Sequence, residues 1–491
     1  MADWTKEPTK LQLKLRDHLY LPKSKIKFDI NANTKIMRHV FNDNDFKIKK
    51  LKYKECKIKQ CTKDVLEKRL VTSIAKIKKK GSSKKVISQK IKCARTKFAK
   101  KIENLENVLR AYKVRLVLSK EQEKIIFGWF DRCDFVYNSC VQKFNTDSKK
   151  YYSLSKSELF KEIFNGQAKD CPYDILTDEY KTFNANTKSA LKNLKNGNIV
   201  KFEMKPKNTR RHRTIMIPRT AIKQDGFYLN TLGKIENFNK IVDIDLIKCD
   251  CKLTYEKLTK NFYFYISQYV KKKNINGRKE VVAIDEGECV FLTFYSPEEC
   301  GMAGADMRKP LLEIQSRIKR LQSIIGQGKN KKGKKLRNKR SLHRKIGVSY
   351  KKITHIVDEV HHNAARYLCK KYKRILVPKF ETKKMVLKNN GKDRKEKRRK
   401  NRLNKRVKFV LLSQAHYKFK QHLISKGEEY GCEIIECEEH YTSMCCGKCF
   451  HTSKKYNGRI KTCDSCGYKV NRDINGARNI LIKNASLVIE N

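Results

Sequence analysis

Two pairs of cysteines carry the most specific chemistry in the chain: Cys446-Gly-Lys-Cys449 and Cys463-Asp-Ser-Cys466, with thirteen residues between them. A Cys-x-x-Cys turn brings two thiolates onto one ion while its backbone N–H groups spread their charge, and two such turns complete a closed tetrahedral Zn²⁺ site. Four sulfurs leave no open position, so this zinc is expected to be structural. Cys445 adjoins the first knuckle but would give the less usual Cys-x-x-x-Cys spacing, and Cys432 and Cys437 are expected to face a core.

Two carboxylates stand where packing gives an acid no reason to be. Asp285 closes the apolar run Glu280-Val-Val-Ala-Ile-Asp285. Asp473, in Asn471-Arg-Asp-Ile-Asn-Gly-Ala-Arg-Asn479, opens a terminal helix just beyond the knuckles. Either alone fits a turn residue or a helix N-cap. Beside the cysteine ribbon the two form a constellation.

The elements that must position these residues follow from periodicity. Residues 280–285 read as a strand, with a second candidate at 290–295. Helices follow over about 308–325 and 351–372, then a strand at 374–377, a helix over about 407–428 and a strand at 432–437. This succession makes an α/β core from about 278 onward. Upstream, 111–119 alternates like a half-buried strand. Ser119-Lys-Glu-Gln122 offers a helix cap, and Phe127, Phe130, Cys133, Asp134 and Tyr137 recur at helical spacing in a helical stretch of about 120–195. Strand-like runs return at 199–204, 214–217, 227–229 and 261–267, giving a β-rich module with a helical insertion. Phe262 and Tyr263 could stack on bases, but their period-two alternation makes packing the expected role. His361 and His362 lack a Cys or acid at metal spacing and read as ordinary helix residues. Residues 1–108 are Lys-rich, poor in aromatics and helical by pattern, and read as a basic extension.

Composition bounds the function classes. The chain has 491 residues, 115 Lys and Arg against 51 Asp and Glu, and a formal net charge of +64. With 39% hydrophobic and 9% aromatic residues it has material for real cores, which excludes a disordered basic tail. Mean hydropathy is −0.71, no window approaches the ~18 apolar residues of a membrane span, and the start lacks a secretory pattern. A soluble intracellular protein with reduced thiols is expected. The positive excess calls for a polyanion, and nucleic acid is the commonest one inside cells. Two runs concentrate it: 329–345 has ten Lys and Arg and no acid, and 388–408 has twelve against Asp393 and Glu396. Such runs suit phosphate-backbone contact and carry no sequence preference.

Val282-Ala-Ile-Asp285-Glu-Gly, Tyr441-Thr-Ser-Met-Cys-Cys446-Gly-Lys-Cys449, Cys463-Asp-Ser-Cys466-Gly467 and Arg472-Asp473-Ile-Asn-Gly-Ala-Arg-Asn479-Ile480 together resemble transposon-encoded TnpB proteins. Ala111-Tyr-Lys-Val-Arg-Leu116, Gln122 and Tyr137-Asn138 are similar to the start of that family's shared region, so the resemblance spans roughly 109–485. The Lys-rich extension and Pro378-Lys-Phe-Glu381-Thr point more narrowly to Fanzor, the relative of TnpB in eukaryotes and their large viruses. The resemblance implies an RNA-guided DNA endonuclease with an α/β multidomain fold. Its parts would be a basic extension (1–108), a β-barrel wedge with a helical recognition insertion (109–277), and a RuvC-like nuclease of RNase H fold (278–491) with an inserted zinc ribbon (about 441–470). It makes Asp285 and Asp473 the first and third acids of the nuclease.

The second acid departs from the TnpB pattern. That family's glutamate directly follows the strand ending here at Val377, and this chain has Pro378, which cannot bind a metal. Two replacements offer themselves: Glu381, three residues on, and Glu439, which follows the strand at 432–437 and precedes Tyr441-Thr-Ser. Fanzor-like proteins are similar in having a relocated glutamate, and neighbouring strands are only ~4.8 Å apart, so Glu439 is favoured and Glu381 is the alternative. Three such carboxylates hold two Mg²⁺ for in-line hydrolysis of a phosphodiester. Expected partners are a guide RNA and a target double-stranded DNA, with no membrane and a monomeric protein. Runs at 78–85 and 394–400 suit either nuclear import signals or phosphate contacts, so a nuclear location is the expectation. The competing readings are an RNA-guided DNA binder that has lost cutting, and a strand-joining transposase.

Overall fold

The computed structural model describes residues 9–19, 29–31, 36–40, 53–54, 63–78, 84–103, 107–148, 151, 158, 162–163, 171–207, 212–328, 339–386, 403–452 and 458–489. Most of the two basic runs and of the two candidate import signals lies outside the described residues. No described helix is long and apolar enough to cross a membrane. The chain divides into two compact units, 107–270 and a larger one made of 1–106 with 271–491. The segment expected to be a basic extension therefore belongs to the larger unit, to which it gives two strands, β1 (Asp29–Asn31) and β2 (Ile36–Val40).

The unit 107–270 begins with β3 (Asn107–Leu116) and the helix Lys120–Thr146. Ser119 caps this helix reciprocally: the Gln122 N–H donates to Ser119 Oγ at 3.2 Å, and the Ser119 N–H to Gln122 Oε1 at 3.0 Å. The helix Tyr173–Lys195 follows, then β4 (His212–Ile217), the two-residue strands β5 (Ile222–Lys223) and β6 (Gly226–Phe227), β7 (Cys251–Glu256) and β8 (Asn261–Lys271). Among the described residues these strands pair in the open order β3-β8-β7-β4, with β5-β6 apart, and no pairing there closes the expected barrel. No strand forms at 199–204, and at its end a helix side chain takes the backbone groups of Met204. Asn145 donates to the Met204 carbonyl at 2.8 Å and accepts from its N–H at 3.2 Å, and Asn138 accepts from the Lys207 N–H at 2.9 Å. Phe262 is buried in the core, and the Lys113 ammonium sits 3.8 Å from the centre of the Tyr263 ring.

The larger unit is built on β9 (Lys279–Glu286), β10 (Leu292–Tyr295), β11 (Glu299–Ala303), β12 (Tyr372–Pro378) and β13 (Glu433–Cys437). With β1 and β2 they form one seven-stranded sheet in the order β1-β2-β11-β10-β9-β12-β13. β9, β10 and β11 run antiparallel to one another in turn, while β12 is parallel to β9 and β13 to β12. That order and polarity are those of an RNase H-type sheet. The central strand β9 is covered on both faces, so it reads as a continuous apolar run rather than alternating. Its even residues Val282 and Ile284 pack with Phe291, Val377 and the helices Arg308–Gln327, Arg340–Lys371 and His416–Tyr430. Its odd residues Val281 and Ala283 pack with Leu376, Cys437 and the helix Arg472–Lys483.

Three features differ from the sequence expectation. The helix expected from 351 begins at Arg340, and β11 and β2 form where periodicity gives no strand. The helix expected over 407–428 is two helices, Lys405–Gln414 and His416–Tyr430, because Ala415 sits in the left-handed region at φ 48°.

Candidate active site and metal centre

Strand parity decides which acids can meet. Asp285 is odd on β9 and so projects, like Val281 and Ala283, toward the helix Arg472–Lys483. On β13, Ile435 and Cys437 share that face, and Glu439 continues their parity two residues past the strand end. Glu438 has the parity of Ile434, which packs on the other side. Pro378 is paired with Cys437 and is on the same face as Leu376. The positions of Asp285, Pro378 and Glu439 thus share one face.

Asp473 reaches this face from the helix. The N-cap is Asn471, whose Oδ1 accepts from the N–H groups of Asp473 at 3.0 Å and Ile474 at 3.3 Å. The Asp473 carboxylate is therefore left out of the cap. Gly476, one turn on, is the point of closest approach: a Cβ there would lie 2.4 Å from Asp285 Oδ2. A glycine inside a helix costs about 1 kcal/mol relative to alanine, and here the Asp285 carboxylate occupies the space a methyl would need.

Electrostatics shows the same convergence. Burial pushes Asp285 well above the usual carboxylate range, and the charges of Asp473, Glu439 and Glu286 push it further, against Arg472. Glu439 is pushed up to about 7 by burial and by Glu286. Asp473 is raised by burial, with Arg459 and Arg472 opposing. Glu299 on β11 is the contrasting case. Burial would raise it too, but the Tyr372 hydroxyl at 2.5 Å and Lys279 at 3.3 Å hold it below its ordinary value. A structural acid is surrounded by donors, whereas these three acids surround one another, an arrangement that divalent cations relieve. Glu381 is exposed just before the short helix Thr382–Val386 and is not among the charges that act most on Asp285.

Glu286 points to the opposite face. Its carboxylate lies 3.4 Å from His416 Nδ1, and His416 Nε2 lies 3.1 Å from Gln414 Oε1, a pair placed by the break at Ala415. His361 is fully buried, its Nε2 2.9 Å from the Gln414 carbonyl, and burial holds it neutral with a pKa of about 4. The ordinary reading of His361 stands.

The cysteines close on one another as their spacing implies. All four sulfurs lie within 4.8 Å, with Cys446 to Cys466 at 3.8 Å and Cys449 to Cys463 at 3.5 Å. A tetrahedron with ~2.3 Å Zn–S bonds has ~3.8 Å edges, so the donor set fits Zn²⁺. No other group of three or more His, Cys, Asp or Glu among the described residues converges so tightly. Each knuckle ends in a left-handed residue, Phe450 at φ 60° and Gly467 at φ 63°. Although burial raises the Cys463 thiol, the N–H groups of Cys466 and Ser465 bring it down to about 7. Cys445 is buried, pushed up to about 12, and its thiol donates to the Phe450 carbonyl at 3.3 Å, so it lies outside the cluster.

What ties ribbon to acids lies beyond the reach of motif spacing. From the helix Arg472–Lys483, Asn475 donates to the Cys445 carbonyl at 2.9 Å and accepts from the Gly447 N–H at 2.9 Å. Asn479 donates to the carbonyls of Thr442 at 2.8 Å and Cys445 at 3.0 Å, and Arg478 to that of Gly447 at 2.9 Å. Asn484 exchanges hydrogen bonds with Glu438, and Lys483 reaches the His440 carbonyl at 3.0 Å. All of 438–447, the stretch from Glu439 to the first knuckle, is lashed to the helix that carries Asp473. The signal in the sequence is the repeat of amide and guanidinium side chains at 475, 478 and 479, one polar face of a helix whose other face is apolar.

Comparison with known proteins bears on this geometry. Residues 416–480 match the Cas12f1-like TNB domain, and residues 107–147, here β3 and its following helix, match a helix-turn-helix domain model of the OrfB/IS605 type. TnpB-like protein L770 of Acanthamoeba polyphaga mimivirus is 24% identical over 388 residues, covering 75% of this chain and 72% of its own length. The CRISPR-associated endodeoxyribonuclease Cas12f1 of Sulfoacidibacillus thermotolerans is 36% identical over 81 residues, 16% of this chain and 19% of that protein. A solved Cas12f1–sgRNA–target DNA complex superposes with a TM-score of 0.44 at 13% identity, covering 92% of this chain and 99% of that one. The sheet and the ribbon define an RNase H-type α/β protein with a TNB domain. Its similarity to TnpB-like proteins over three quarters of its length, with the two matched domains, supports a Fanzor/TnpB-family protein.

Proposed function

We propose that the protein is an RNA-guided DNA endonuclease that hydrolyses phosphodiester bonds of double-stranded DNA with a RuvC-like site. The observation that carries this is the convergence of Asp285, Glu439 and Asp473 on one sheet face, with Asn471 doing the capping that would otherwise explain Asp473. Similarity to TnpB-like proteins and the 81-residue match to an endodeoxyribonuclease support it. Two Mg²⁺ held by these acids would activate water and stabilise the leaving 3′-oxygen. Asp285, near the end of β9, would hold these ions together with Glu439 and Asp473, and Gly476 leaves the Asp285 carboxylate room.

The net charge of +64 suits a guide–target duplex held by its backbone, so that base pairing chooses the sequence. Guide RNA and target DNA are then the partners of a single protein chain, and a nuclear location follows if the runs at 78–85 and 394–400 act as import signals. The decisive experiment combines the purified protein, its co-purifying RNA, Mg²⁺ and a DNA matching that RNA. Wild type should cut, and Asp285→Ala and Asp473→Ala should not. Cutting without RNA overturns the guided reading, and strand joining of transposon ends favours a transposase. Pro378, in the place of the TnpB glutamate, favours a second reading, a guided binder that no longer cuts. Guide-dependent binding without cleavage would establish it.

A further inference from the structure

The helices Arg340–Lys371 and His416–Tyr430 cover the face of the sheet on which Val282 and Ile284 pack, away from Asp285, and they lie side by side in one register. Lys418 donates to Asp358 at 2.5 Å, and four residues further along each helix His422 meets His362, their ring centres 4.6 Å apart and their planes inclined by 64°. Residues four apart share a helix face, so the partner that His362 lacks in the sequence is supplied by the second helix. Two imidazoles bound to one ion through ~2.1 Å bonds, at N–metal–N angles of about 90–110°, have ring centres roughly 4.6–5.3 Å apart. The observed pair already has that separation.

His362 is exposed and His422 half-buried, so an ion reaches them from solvent. Among the described residues neither ring takes part in a hydrogen bond or ion pair. His361 is the contrasting neighbour: it is fully buried, engaged through Nε2 with the Gln414 carbonyl at 2.9 Å, and its ring centre is 6.1 Å from that of His422. The neutral ring is the form that binds a metal. Burial lowers the pKa of both His362 and His422, with Lys418 and Lys426 adding to the lowering and Asp358 opposing it. Both lysines are held by acids, Lys418 by Asp358 and Lys426 by Glu429 at 2.7 Å, so little net charge stands against a cation.

We infer that His362 and His422 are the protein ligands of a second metal site, which takes a first-row transition ion such as Zn²⁺ and staples the helix His416–Tyr430 to the helix Arg340–Lys371. Imidazole nitrogen favours ions of this class over Mg²⁺, which prefers oxygen. Two protein ligands leave the remaining positions to water, so the site is more open than the four-cysteine cluster. It is separate from that cluster and from the carboxylates, and it stands whether or not the protein cuts DNA. The stapled helix runs through Gly431 into β13, beyond whose end Glu439 stands.

The test uses the full chain with its co-purified RNA and its ribbon already loaded with zinc. Titrated with Zn²⁺ at neutral pH, wild type should bind a second ion per chain, counted by calorimetry and metal analysis, and the His362→Gln, His422→Gln variant should stay at one. Each single replacement should weaken the second ion's binding about tenfold or more, because even a lost outer-shell partner costs that much. With Cu²⁺ as the probe in place of the second Zn²⁺, electron paramagnetic resonance should show two imidazole nitrogens in wild type and one in each single variant. At Zn²⁺ about ten times the measured Kd, amide hydrogen exchange in the helix His416–Tyr430 should slow about tenfold in wild type and stay unchanged in the double variant. A second ion retained by the double variant is an adventitious ion only, on the RNA or elsewhere, and overturns the site. A wild type that stops at one ion, or whose copper spectrum shows a single nitrogen, overturns it without recourse to any variant. Binding with no slowing of exchange overturns the staple.

Discussion

The four cysteines stand within 4.8 Å of one another, each knuckle shaped by local turns. The carboxylates of Asp285, Glu439 and Asp473 arrive from β9, the end of β13 and a helix, and the last two raise the protonation of the first. One centre is made by local cysteine spacing. The other is made by strand parity and polar lashings. The difference teaches that the ribbon is the rigid partner of the pair, and that the acids depend on it through 438–447.

The sharpest break between the two centres is to delete an acid. Asp285→Ala or Asp473→Ala should slow cutting by roughly 10³-fold or more while zinc content, read by metal analysis, is unchanged. Asp285→Asn should also raise the melting temperature in Mg²⁺-free buffer, by about 2 °C or more, since it removes a buried like charge. A lower melting temperature would mark Asp285 as structural. Next comes the ribbon itself: Cys463→Ser with Cys466→Ser should release zinc and, by freeing Glu439, reduce cutting about a hundredfold. Zinc loss with full cutting would show that the two centres are independent.

Gly476→Ala tests the contact between helix and acid. The added methyl meets Asp285 Oδ2, so cutting should fall roughly tenfold or more with zinc retained. The pH dependence is gentler. Glu439 titrates near 7 instead of its ordinary 4.5, so its contribution to the stability of the Mg²⁺-free protein is fullest below about 4.5 and is lost as pH rises toward 7. Glu439→Gln should flatten that slope in thermal melts. Cutting should rise about tenfold per pH unit below 7, as a proton must leave before a cation binds. The smallest effect is expected at Glu381: Glu381→Ala should cut within about twofold of wild type, and a large loss there would displace Glu439 as the second acid.

Much of this is legible because it is local. Cys-x-x-Cys spacing, the apolar run into Asp285 and the Ser119 cap all depend on residues a few positions apart. Parity would also have favoured Glu439 over Glu438 from the sequence alone, given a strand ending at Cys437. What escapes depends on distant partners. Strand β2 pairs with β11 across some 260 residues of chain, Ile36 opposite Ala303, and nothing in Ile36-Met-Arg-His-Val announces that edge. Ala415 carries no sign that its neighbours need a left-handed break, since its φ is imposed by packing on both sides. Likewise 199–204 has strand-like composition but forms no strand, and the backbone of Met204 at its end is taken by Asn145, 59 residues away.

The two ends of the larger unit are fastened together. Tyr53 bridges to Ile489, the Lys54 N–H donates to the Val488 carbonyl at 2.9 Å, and Arg478 holds the carbonyls of Arg16 at 2.8 Å and Leu19 at 3.1 Å. During synthesis, at about 5–20 residues per second, residues 16–54 wait for partners that leave the ribosome tens of seconds later. Asp473 reaches its place only when that late helix docks on them. A nascent chain that lacks this helix carries most of the positive charge but not the completed acid face, so the order of translation withholds the site until the helix is made.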